Sequence, residues 1–319
     1  MVRATVCSVL LFMATTACSE ELTYEKLIAM DNAPKVVTYK EVGEEKLHLY
    51  VYAPDGHKKT DKRPAILVIH GGGWESPGLK NMAHLCRYLA LRGMVAINVQ
   101  YRLVSRKTTV RIPDSMADCN DAFSYAKAHG AELGIDPKRI AVAGESAGGH
   151  LAAVVGLGMD PKGGEPAAKE ALPSAVILYN PCVDLVGIPW MKGHAGVSKL
   201  ADTPEGETWD VRAKRISPLE FVRKGLPPML LIHGIADGCI PIRLSDGFAE
   251  KVKKEGNAVT YHRMDGWNHA FMVPNCGPKE QVVKTIQLTD AFLLSLGYLQ
   301  GKPILADLPA LETPTSTEE

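Results

Sequence analysis

The chain has 319 residues, enough for one large domain with a sizeable core. Lys+Arg and Asp+Glu both number 36, so no electrostatic case exists for a nucleic acid or an acidic membrane surface as partner. Seven cysteines occur with no Cys-x-x-Cys pair and no Cys/His spacing suited to zinc, and no metal is expected.

The N-terminus has the layout of an export signal over residues 1–18. Arg3 supplies a positive start, Val6 to Ala14 form an apolar run too short to span a bilayer, and Thr15-Thr16-Ala17 precede Cys18. Two fates follow from that reading: cleavage after Ala17 to a soluble exported protein, which we favour, or lipidation of Cys18. Either way no transmembrane helix is expected. Export permits disulfides, and Cys239 with Cys276 form a candidate bridge because both lie near loops that carry candidate site residues.

Lys35–Lys40 and Leu47–Tyr52 alternate with period two around Gly43 and predict an antiparallel hairpin. Ala53-Pro-Asp-Gly56 and the charged run to Arg63 predict a solvated loop. Apolar strands then alternate with helices, the signature of a mainly parallel sheet covered on both faces. The predicted strands are 65–69, 95–99, 140–143, 175–179, 229–232 and 259–263. The predicted helices are 82–91, 115–129, 147–157, 244–254 and 281–295. Asp136-Pro137 reads as a turn, residues 183–227 as a lid-like insertion, and Pro303–Glu319 as a disordered tail outside a domain spanning 35–298.

Gly144-Glu-Ser146-Ala-Gly148 follows the apolar run Arg139–Ala143 and opens the helix at Ala147. Small residues on both sides allow a sharp strand-to-helix turn that presents Ser146 as a nucleophile. A serine hydroxyl is inert without a base and an oxyanion site. His70-Gly71-Gly72-Gly73-Trp74 follows the strand 65–69. Its uncovered amides make Gly72 and Gly73, with Ala147, candidate oxyanion donors, and His70 a loop-shaping hydrogen bonder. After the strand 229–232, His233-Gly-Ile-Ala-Asp237 supplies a carboxylate at a strand end. Asp184 and Asp265 are its rivals, without the same strand-loop-helix setting. His269, in Gly266-Trp-Asn-His269-Ala-Phe271, completes the order Ser…Asp…His; His150, His233 and His262 fall inside regular elements or at a strand end. Trp74 and Trp267 are candidate substrate contacts, because aromatic faces suit a planar ring or the apolar face of a sugar.

Together with Gln100-Tyr-Arg-Leu103, these motifs make the chain resemble the α/β-hydrolase superfamily and its esterase/lipase group from about Leu47 to Ser295. The glycine run and the Gly-Glu-Ser-Ala-Gly-Gly stretch are similar to hormone-sensitive-lipase-type esterases. Trp74 and the short N-terminal segment look more like the bacterial ferulic-acid and acetyl-xylan esterase group. The resemblance implies an α/β-hydrolase fold with an antiparallel N-terminal hairpin. It also implies a cofactor-free acyl transfer from a small-molecule or glycan ester through an acyl-enzyme. Two alternatives stay open at this point: a serine peptidase of prolyl-oligopeptidase type, and a non-catalytic binding protein on the same fold. The sequence carries no signal for an oligomeric state.

Overall fold

The computed structural model describes residues 22–197 and 206–305. The export and lipidation readings at 1–18, residues 198–205 of the insertion and residues 306–319 of the tail lie outside them. Among the described residues no helix is long and apolar enough to cross a membrane.

Eight strands form one sheet. β1 (Lys35–Val42) and β2 (Glu45–Tyr52) make the antiparallel hairpin, and β2 also pairs antiparallel with β4 (Val95–Val99). β3 (Arg63–Ile69), β5 (Ile135–Glu145), β6 (Ala175–Tyr179), β7 (Met229–Gly234) and β8 (Val259–Met264) complete the order β1-β2-β4-β3-β5-β6-β7-β8, parallel from β4 onward. The middle strands are apolar throughout because both sheet faces are covered, and the period-two pleat deals their side chains to two cores. Ala65, Leu67 and Ile69 of β3 enter one core with α3 (Ile112–Ala128), α5 (Ala147–Leu157) and α7 (Ile242–Lys254). Ile66 and Val68 enter the other, with α1 (Tyr24–Ala29), α2 (Leu79–Leu91) and α8 (Lys279–Ser295). α5 is buried on every side, which explains why its sequence lacks a polar face.

Two predicted features differ, and three short helices were not predicted. Asp136-Pro137 does not end the strand. β3 advances from Arg63 to Ala65 while β5 advances from Ile135 to Ile140, so the expected turn is a bulge, closed by Lys138 N–H donating to Asp136 Oδ1 at 2.9 Å. The short helices α1, α4 (Gly130–Leu133) and α6 (Trp209–Arg215) were too brief to show a period in the sequence. Cys239 and Cys276 are both free and exposed. Each is committed to its own loop: the Cys239 amide bonds Asp237 Oδ1 at 2.8 Å, and the Cys276 amide bonds Val273 O at 3.0 Å.

The strand order positions the site. The chain passes from β3 outward to β4 and then back to β5 on the other side of β3, a switch point that opens a crevice at the carboxyl ends. Ile69 pairs with Gly144 in neighbouring strands, so the glycine run and Ser146 emerge side by side.

Candidate active site

Ser146 sits between the end of β5 and the start of α5 with φ 55° and ψ −119°. A non-glycine residue holds this sparsely populated conformation only where its surroundings fix it. A Cβ on Gly144 would lie 2.1 Å from Gly148 O, and one on Gly148 2.2 Å from Ile69 O, so the turn closes only with bare backbone at both positions. The Ser146 amide is anchored to Tyr179 O at 3.0 Å, which ties the elbow to β6.

The loops after β7 and β8 bring the other groups to this point. His269 Nε2 is 2.9 Å from Ser146 Oγ, and His269 Nδ1 is 2.7 Å from Asp237 Oδ2. The tautomer that serves both contacts carries its proton on Nδ1, donating to the carboxylate, and offers the Nε2 lone pair to the serine hydroxyl. Asp237 Oδ1 accepts the amides of Cys239 and Ile240, each at 2.8 Å, and Oδ2 also faces His233 Nε2 at 3.1 Å. Burial would raise the Asp237 pKa, but hydrogen bonds from His233 and His269 outweigh it and hold the carboxyl well below the usual range. For His269, burial favours the neutral ring, yet the Asp237 hydrogen bond and charge, aided by Glu145, push its pKa upward.

The glycine run supplies the amides. The Gly71 backbone packs directly against the Glu145 carboxyl, leaving Gly72 and Gly73 as the next donors along the loop. Among the described residues, the amides of Gly72, Gly73 and Ala147 donate to no protein acceptor. Gly72 and Gly73 adopt φ of 104° and 62°, turning their N–H groups away from a regular strand course. His70 shapes this loop as expected from its position: Nδ1 donates to Gly71 O at 2.7 Å, and the ring stacks on Tyr101 with centroids 4.5 Å apart. Tyr101 belongs to the Gln100–Leu103 stretch, which Asp118 secures by accepting the Arg102 amide at 3.0 Å and its guanidinium.

Trp74 does not face a ligand. It has no exposed surface, and its indole donates to His150 Nδ1 at 3.4 Å, while His150 Nε2 donates to Ile216 O at 2.7 Å. The indole N–H, once buried, needs that internal partner. Trp267 is half-buried, with its ring tilted on Phe271 at 5.0 Å and packed against the α2/α8 core. The exposed tryptophan beside the acid loop is Trp190, whose Nε1 donates to Cys239 O at 2.9 Å. Of the rival acids, Asp184 caps its own turn through the Val186 amide, and Asp265 is exposed. Sequence reasoning passed over Glu145, Asn180 and His233 as partners of the site; the signal was only their place at the ends of β5, β6 and β7. Asp237, Cys239 and His269 form, among the described residues, the one group of metal-capable atoms within 4.8 Å of one another, and two of these three side chains already bond each other.

The family model described as BD-FAE matches residues 49–252. The chain is 28% identical over 255 residues to a "Probable carboxylic ester hydrolase LipM" of Mycobacterium tuberculosis, covering 74% of this chain and 55% of that protein. It is 30% identical over 233 residues to "Esterase LipC" of the same organism, covering 66% and 54%. The chain thus spans about half the length of the curated relatives it matches. Among solved structures, Thermogutta terrifontis esterase 2 phosphoramylated by tabun superposes with a TM-score of 0.74 at 33% identity, covering 88% of this chain and 100% of that one. The propionate-bound form of that esterase gives 0.73 at 34% identity, with the same coverage. The architecture is therefore that of the α/β-hydrolase esterases.

Proposed function

The chain belongs to the BD-FAE family, and from that premise we propose that it is a serine carboxylic ester hydrolase acting on small acyl groups. The observation that carries this reading is the chain of contacts Ser146 Oγ–His269 Nε2–His269 Nδ1–Asp237 Oδ2, at 2.9 and 2.7 Å, beside three uncommitted amides.

Ser146 Oγ attacks the ester carbonyl carbon as its proton passes to His269 Nε2. The imidazolium so formed is paired with Asp237, and the carbonyl oxygen, now an oxyanion, receives the amides of Gly72, Gly73 and Ala147. Collapse expels the alcohol, which takes the proton from His269 and leaves an acyl-Ser146 ester. Water, deprotonated by His269, attacks that ester in the same pocket and releases the acid. The organophosphate adducts and the propionate complex of the Thermogutta esterase support a serine mechanism and a short acyl group by similarity.

For the alcohol side we favour a glycan or another small ester carrying acetyl or feruloyl groups. Trp190, 47% exposed on the insertion and tied to the loop two residues after Asp237, offers a flat apolar face of the kind that stacks on a sugar or phenyl ring. The run Val6–Ala14 with Cys18 supports placing the enzyme outside the cytoplasm, as a soluble or lipid-anchored protein. Release of acetate from acetylated xylan and ferulate from feruloyl esters, measured beside acetyl, butyryl and long-chain p-nitrophenyl esters, tests the substrate reading. Turnover of short-chain or glycan esters is expected; activity confined to long-chain lipids would overturn it.

A further inference from the structure

One buried acid has no part in the proton path just described: Glu145, the residue before the nucleophile, only 4% exposed. Three groups converge on its carboxylate. Asn180 Nδ2 donates to Oε1 at 3.1 Å, the Gly71 backbone packs against Oε2 from the glycine run, and His269 Nε2 lies 4.0 Å from Oε1. A Cβ on Gly71 would sit 2.0 Å from Glu145 Oε2, so the carboxylate occupies the space where any side chain at position 71 would go. The same Asn180 nitrogen rests 3.3 and 3.4 Å from the two ring nitrogens of His269, beside the ring.

We infer that Glu145 is a positioning residue of the esterase reaction: it seats the glycine run so that Gly72 and Gly73 face the oxyanion, and its charge stabilises the imidazolium of His269. The inference rests on the reading of the site as a serine esterase.

Asp237 serves the Nδ1 side of the ring, where the proton stays throughout. Glu145 faces the Nε2 side, where the proton arrives as the hydroxyl attacks, so its attraction strengthens along the reaction coordinate. An interaction that grows toward the transition state raises the rate rather than merely tightening the ground state. The other groups facing His269 are uncharged: the Asn180 amide and the Cys239 thiol after β7, whose pKa desolvation and the neighbouring Asp237 push up. The charges that act on the ring are those of Asp237 and Glu145. Burial pushes the Glu145 pKa up as well, against the pull of His269, Asn180 and Gly71. Keeping an acid there works against stability, which is the pattern of a group retained for chemistry.

The test is the pH dependence of kcat/KM on a short p-nitrophenyl ester for the wild type, Glu145→Gln and Glu145→Asp. Removing an opposite charge at this distance moves a neighbouring pKa by about 1 unit or more. The acid limb of Glu145→Gln is therefore expected to fall by about that much, with kcat reduced on the order of tenfold. Glu145→Asp keeps the charge on a shorter arm, and its limb is expected to move less. A purely structural role would lower kcat and leave the limb in place, and an unmoved limb in Glu145→Gln overturns the inference. Should the Gln variant fail to fold, Glu145→Ala removes the same charge and carries the test, and an unmoved limb there overturns the inference. Ser146→Ala separates the two levels: full activity in that variant removes the esterase reading itself, whereas an unmoved limb in a Ser146-dependent enzyme removes only the role of Glu145.

Discussion

His233 Nε2 lies 3.1 Å from Asp237 Oδ2, the same oxygen that holds His269. His233 is fully buried at the end of β7, and its Nδ1 meets Ser245 Oγ of α7 at 2.7 Å. With Nδ1 accepting from the serine, the Nε2 proton is available to donate to the carboxylate. The acid of the site is thus fixed from behind by the helix that follows it.

Replacing His233 by Phe strands Ser245 and takes one donor from Asp237, a loss of about 1–3 kcal/mol of stability. Asp237→Asn strikes the tautomer of the base directly and is expected to lower kcat on the order of 10⁴-fold. Thermal melts and kinetics of both variants check the ranking: the Phe variant is the less stable one that keeps more activity. Equal kinetic losses would show that His233 does more than support the carboxylate.

Activity is expected to fall in acid. His269 works only with Nε2 unprotonated, and its pKa is raised above the ordinary 6.5, so kcat/KM drops as pH falls through a midpoint above that value. The stability linkage runs the other way. A raised folded-state pKa contributes stability that is complete below 6.5 and is lost as pH rises through the raised value. Across that window the enzyme becomes faster while this contribution to its stability declines. A rate profile flat from pH 4 to 8 would contradict the assignment of the base.

Gly144→Ala and Gly73→Ala separate the elbow from the glycine run. At Gly144 the added methyl meets Gly148 O at 2.1 Å, backbone against backbone, and the strand-to-helix turn must open. At Gly73 nothing lies within 4 Å, and only the left-handed φ of 62° is strained, which costs on the order of 1 kcal/mol. Gly144→Ala is expected to be poorly folded or inactive, and Gly73→Ala folded with a reduced kcat. A stable, fully active Gly144→Ala enzyme would mean that the elbow is less tightly closed than the structure shows.

Asp118 is buried, receives Arg102 through its amide and guanidinium, and meets Lys40 Nζ at 2.7 Å. Asp118→Ala removes the buried carboxylate that Lys40 and Arg102 share, leaving Lys40 on Asp121 at 2.6 Å and Arg102 on Asp114 at 3.5 Å, and is expected to destabilise the fold by about 1.5–3 kcal/mol. Because Arg102 adjoins Tyr101, which stacks on His70, activity should fall as well. Calorimetry with kinetics at a temperature where the variant stays folded measures both effects.

The parallel sheet and the three site loops were readable because each rests on a local signal: an apolar run, a bare-glycine turn, a polar residue at a strand end. Ser146, Asp237 and His269 carried such signals, and the structure brings all three side chains into contact. The tryptophans did not. Whether an indole lines a cleft or fills a core depends on what lies opposite, and only the fold shows that Trp74 meets His150 while Trp190 stays exposed. Glu145 was visible inside its motif, yet its meaning depends on Gly71 and Asn180, which arrive from other strands. The bulge at Asp136 was hidden for the same reason, since it exists only in register with β3.

The most direct measurement is the intact mass of the protein after reaction with a fluorophosphonate probe, followed by peptide mapping. One adduct per chain on Ser146, lost in Ser146→Ala and suppressed in His269→Ala, is the expected result. No adduct on the folded protein, or an adduct on another serine, would contradict the account.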